Sequence, residues 1–172
     1  MGKDIWGIAV GGSGGVGAGD GVAGTYSTMY GASGTGILSQ DRLDLGTAST
    51  VGFYSASGSP CPTGEVYGFG GGLSVSLVGS NARDFHDLEG PFDTHVIGLG
   101  PVSIEIDSGA ASDGYPVNVV QIGISPPALS IGKFGYAHYQ TYTPPSSVGT
   151  GRGLGGNIAR GISDAYGSPY RF

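Results

Sequence analysis

The chain has one cysteine, Cys61, in 172 residues. An intrachain disulfide and a cysteine-based zinc site are therefore both excluded. Charge is scarce, and basic charge scarcest: 7 Lys and Arg stand against 13 Asp and Glu, a formal net charge of -6. A chain with no basic stripe repels phosphate backbones and anionic lipid headgroups, so nucleic acid is not expected as a partner. No apolar run approaches the roughly 20 residues of a membrane-spanning helix. The opening Met1–Val10 is too short for a signal-peptide core. The expectation is a chain that is cytosolic, or one secreted or delivered to a target cell without an N-terminal signal. Helix formers are missing from residues 7–24, which are nearly all Gly, Ala, Val and Ser.

Glycine is abundant instead, with 37 residues, roughly three times the usual share. There is no collagen-like Gly-X-Y period. Apolar residues, 38% of the chain, come in short segments with a period of two. Leu73, Val75 and Leu77 alternate with Ser74 and Ser76. Val102, Ile104 and Ile106 alternate with Ser103, Glu105 and Asp107. Such alternation places one side of each strand in a core and the other toward water or a lumen. Strands are expected at 25–30, 50–55, 73–77, 102–107, 117–124, 128–131 and 134–143. The expected fold is all-β, a single antiparallel barrel of roughly 8–10 short strands, with the apolar sides meeting around a common interior. Residues 1–24 form a Gly-rich lead-in or a first, tightly packed strand pair. Residues 25–143 form the barrel, and 144–172 a loose Pro/Gly-rich tail with a short helix over 157–165. Ala82–Leu88 reads as a helical turn capping one barrel end, 57–64 as a loop, and Gln40-Asp41-Arg42 as a polar turn.

Gly12–Gly17 matches the G-x-G-x-x-G dinucleotide pattern. That reading needs a helix opening at the last glycine, and Ala18-Gly19-Asp20-Gly21 will not hold one. The densest polar cluster is Arg83, Asp84, His86, Asp87, Glu89, Asp93 and His95. Histidines beside carboxylates suit base–acid pairing or metal binding, and His86, Asp87 and His95 are the expected catalytic residues. The plainer alternative is a solvated loop whose acids cap turns. Glu105 and Asp107 share one side of a strand. They form a like-charge pair if that side lines a lumen and merely aid solubility if it faces water; the second is expected. His138, among Tyr136, Tyr139 and Tyr142, reads as a structural histidine. Trp6 and the ten tyrosines read as core and interface residues. No cofactor is indicated.

The segment Gly2-Lys3-Asp4-Ile5-Trp6, the Gly-Val-Ser texture and Asp87–Phe92 together resemble the variable C-terminal payload domains of RHS/YD-repeat polymorphic toxins. The resemblance implies a toxin or effector delivered by a bacterial secretion system. Its partners would be the remainder of a larger polypeptide and a cognate immunity protein. It assigns no reaction and no catalytic residue. Two alternatives stand beside it: a non-enzymatic binding or structural barrel, and a membrane-active, pore-forming domain, since Gly/Ser/Val alternation also suits pore strands.

Overall fold

The computed structural model describes residues 4–34, 44–55, 64–125 and 130–150. It contains eight β-strands: β1 (Asp4–Gly34), β2 (Asp44–Ser55), β3 (Glu65–Ser80), β4 (Gly90–Gly100), β5 (Val102–Ala110), β6 (Pro116–Ile124), β7 (Ser130–Thr143) and the short β8 (Gly149–Thr150). β1 doubles back on itself at Gly19, whose φ of 106° is open to glycine and strained for other residues. Its arms lie antiparallel, with Gly7 against Gly31, Gly11 against Ser27 and Gly15 against Ala23. The first arm pairs with β3 and the second with β2. The Gly-rich stretch before residue 25 is thus barrel wall. The expected helix at 157–165, the polar turn at 40–42 and most of the 57–64 loop lie outside the described residues.

The ring closes through β3–β6–β5–β4–β7–β2, every neighbour antiparallel. Following the ladders from Ser80 through Val119, Asp107, Thr94 and Tyr139, then across β2 and the two arms of β1, leads back to β3 at Gly70. A stagger of that size over eight staves tilts the strands by about 40° from the barrel axis.

Both ends are closed. At one end a 3₁₀ turn (Phe85–Leu88) folds over the mouth, and Phe85 and Leu88 are buried among Ile5, Met29, Val78, Phe92 and Val117. At the other end β3 and β7, which stand opposite each other in the ring, hydrogen-bond directly from Glu65↔His138 to Phe69↔Phe134. Inside this pinch Ala23, Tyr54, Val66 and Tyr139 form a second apolar cluster.

The two faces of the wall reverse the expected arrangement. On β3 the exposed residues are Leu73, Val75 and Leu77, the last 70% exposed, while Ser76 is buried. On β6 Val120, Ile122 and Ile124 are exposed and Gln121 is buried. On β5 Val102 and Ile106 are exposed and Ser103 and Asp107 are buried. The expectation that the apolar sides meet inside is therefore corrected for the middle of the barrel. Among the described residues, the two end clusters form the apolar interior. The physical reason is size: the narrow ring admits Gly, Ala, Ser and Thr at most inward positions, and the branched residues on the alternate positions must point out.

Candidate functional site

The capped end holds much of the polar cluster. Asp84 is the N-cap of the 3₁₀ turn, and its carboxylate accepts the backbone N–H groups of His86 and Asp87. Asp87 turns inward and takes a forked pair from Arg83, Nε to Oδ2 at 2.8 Å and Nη2 to Oδ1 at 2.9 Å. The backbone N–H of Arg83 adds a third donor at 2.9 Å. These donors, the Arg83 side chain first, hold the Asp87 carboxyl below the usual carboxylate range. Arg83 also reaches Asp113 at 2.8 Å and lies 4.5 Å above the Tyr115 ring. Asp113 is likewise lowered, first by the Tyr115 N–H and then by Arg83. The two carboxylates raise Arg83 further. His86 points out to solvent and pairs with Glu89. His86 and Asp87 thus face opposite ways, as adjacent residues on a tight turn must, and Asp87 serves to fasten the cap.

His95 lies elsewhere, on the outward face of β4. The ladder sets it directly opposite His138 of β7. The two imidazoles stack at 4.3 Å with only 4° between their planes. Asp93, two residues before His95 and on the same face, reaches His138 Nε2 at 2.6 Å and His95 Nε2 at 3.7 Å. Tyr136 Oη meets His95 Nδ1 at 2.8 Å. Of the three expected catalytic residues, the structure therefore sets His86 and Asp87 on the cap and His95 on the wall. No hydrogen bond or ion pair among the described residues joins His95 to the other two. It gathers instead Asp93, His95 and His138, whose ligand atoms all lie within 4.8 Å of one another. Nothing in the sequence near His138 signals this partnership; 43 positions separate it from His95, and only the β4–β7 register brings them together.

A third polar group fills the lumen. Glu105 and Asp107 face inward, correcting the expectation that they face water: Asp107 is buried because its strand turns Val102, Ile104 and Ile106 away from the axis. Thr94 Oγ1 donates to Asp107 Oδ1 at 2.7 Å and meets Thr141 Oγ1 at 2.8 Å. Gln121 Nε2 donates to Glu105 at 3.1 Å and to Asp107 at 3.4 Å. The space left among Ser27, Ser76, Ser103, Glu105 and Gln121 is about 20 Å³, room for about one water. Two further small spaces remain, about 30 Å³ under the cap among Met29, Leu88, Phe92 and Asp107 and about 60 Å³ at the pinched end among Ala23, Val66, Tyr136 and Tyr139, so the polar lumen holds no continuous channel.

No family model, curated protein or solved structure matches the chain.

Proposed function

We propose that this chain is a membrane-embedded β-barrel whose interior is packed rather than conducting. The observation that carries the reading is the inverted wall. Large apolar side chains point outward on both arms of β1 and on every stave from β2 to β6, while Ser, Thr, Gln, Glu and Asp point in. Burial drives folding at roughly 25 cal/mol per Å² of apolar surface, and in water this wall leaves that stabilisation unused over most of the ring; the β4–β7 face, with Asp93, His95, His138 and Gln140, is polar. A protein partner covers one side of a barrel; a bilayer covers every side.

Two further features support it. The outward residues are sorted along the axis. Aliphatic side chains such as Ile8, Val10, Val75 and Ile122 hold the middle. Trp6, Tyr30 and Tyr142 stand toward the capped end and Tyr67 and Phe69 toward the pinched end, with Tyr26 and Phe53 between them. Aromatic girdles bracketing an apolar band are the pattern of membrane barrels. The tilt of about 40° and the strands of 9–16 residues from β3 to β7 also suit a bilayer span. Among the described residues no helix is long and apolar enough to cross a membrane; here strands would do so.

The filled lumen and the two closed ends set this reading apart from an open pore. Such a domain anchors its chain in the bilayer and offers the capped end to water. It is compatible with delivery as the payload of a larger RHS-type polypeptide, a proposal that rests on the Gly2–Trp6 segment.

The test is folding from urea in the presence and absence of phospholipid vesicles. With vesicles, β-sheet circular dichroism develops, the chain floats with the lipid, and emission from Trp6, the only tryptophan, shifts to the blue and is quenched by brominated acyl chains. A monodisperse β-sheet protein in plain buffer that leaves vesicles untouched would sink the proposal.

A further inference from the structure

We propose that Asp93, His95 and His138 form a binding site for a divalent transition-metal ion of the Zn²⁺ class, set on the outer wall across the β4–β7 seam. The inference does not rest on the bilayer reading, because its geometry belongs to the β4–β7 ladder alone.

Two imidazoles and a carboxylate are a donor set suited to Zn²⁺ and its first-row neighbours. Their ligand atoms lie within 4.8 Å of one another, so one ion at about 2.0–2.2 Å from each is reached by rotation of side chains without moving the backbone. The backbone that carries them is rigid: His95 and His138 are cross-strand partners, and Asp93 sits two residues along the same face.

The surroundings also supply an outer partner for one of the imidazoles. Tyr136 Oη contacts His95 Nδ1 at 2.8 Å. When Nδ1–H donates to that oxygen, Nε2 carries the lone pair and faces the Asp93 carboxylate, 3.7 Å away. In that tautomer the Nε2 lone pair is free for an ion, and the Asp93 carboxylate beside it supplies a second donor. Tyr136 then acts as the outer partner that fixes ring and tautomer, as metal-bound histidines commonly require.

The position also gives access. Asp93, Ser108 and Asn118 are ladder partners in one row across β4, β5 and β6, all exposed, and Gln140 continues it on β7. This row interrupts the apolar outward face with polar side chains, and the Asp93 end of the site is exposed. Three protein ligands leave a further coordination position for water or for a donor from another molecule.

The test uses the full chain, folded in plain buffer or in detergent micelles, whichever yields β-sheet circular dichroism, titrated with ZnCl₂ by calorimetry and with CoCl₂ by visible absorption. One ion per chain is expected at micromolar or tighter affinity, with competition between the two metals. Asp93→Asn, His95→Gln and His138→Gln each weaken binding at least tenfold. Tyr136→Phe weakens it several-fold, while His86→Gln, at the cap, leaves it unchanged. Folding of the variants is not needed for a decision. In the unsubstituted chain, zinc shifts the imidazole ¹⁵N resonances of His95 and His138 and spares His86. No saturable binding below millimolar zinc, or shifts confined to His86, overturns the proposal.

Discussion

Asp87 holds the cap through three donors, two from the Arg83 side chain and one from its backbone. Charge-assisted bonds to an enclosed carboxylate are among the stronger ones in a folded chain, although half-exposed Arg83 screens its share. Asp87→Asn keeps the shape and removes the charge. It is expected to cost about 1–2 kcal/mol of cap stability, read as faster amide exchange over Phe85–Leu88. The pH dependence has a definite sign. The folded carboxyl lies below its ordinary value of 3.8, so its contribution is present above about pH 4 and is lost as acid carries the pH through the folded value. Protection of the cap amides should fall on acidification within that window, and the Asp87→Asn chain should show a weaker fall. In the lumen, Thr94 is 0% exposed and donates to Asp107. Thr94→Val takes that donor from a buried carboxylate and should lower the denaturation midpoint by an amount equivalent to about 1–3 kcal/mol.

β3 shows most plainly how one element divides its side chains. Among the described residues Leu77 is the most exposed large apolar one, and its ladder neighbours are Ile8 and Ile122. Leu77→Arg therefore separates two environments. In water an exposed leucine exchanged for arginine costs little. Within a bilayer the same change should cost about 2–4 kcal/mol near the midplane, measured as the stability difference between variant and unsubstituted chain folded in vesicles. The cap tests a second element. Gly46 of β2 lies under the Phe85 ring, and a β-carbon there would overlap it. Gly46→Val should displace the 3₁₀ turn at a cost of about 1–3 kcal/mol, seen as loss of Phe85–Leu88 protection while the strand amides stay protected. The β3, β5 and β6 strands were legible from their period of two. The direction of their faces was not, because alternation fixes that two faces differ and leaves open which of them looks inward.

For the molecule as a whole, closure at both ends decides transport. The 3₁₀ cap with Phe85 and Leu88 closes one mouth, and the β3–β7 pairing closes the other. Vesicles containing the folded barrel should retain an entrapped fluorescent dye, and planar bilayers should show no steady single-channel steps. Persistent conductance would mean that the cap or the pinch opens in lipid. The candidate sites were legible unevenly. His86, Asp87 and His95 stand out because histidines and acids crowd one short segment. The structure assigns Asp87 to fastening the cap and moves His95 to a different group. Asp93 was visible in the same segment, whereas His138 was masked by its tyrosine neighbours. Its partnership with His95 exists only because β7 lies beside β4 in one register.

The sequence by itself determined the all-β class, the alternation of large and small residues along each strand, and the turn between 82 and 88. All of these follow from local preferences: glycine and β-branched residues disfavour helix, and side chains two apart share a face. Only the tertiary structure decided which face is outside, how β3 reaches across to β7, and which histidine meets which. Those depend on ring size and ladder register, since closing eight staggered staves leaves an interior that holds only a few large side chains and turns the rest outward.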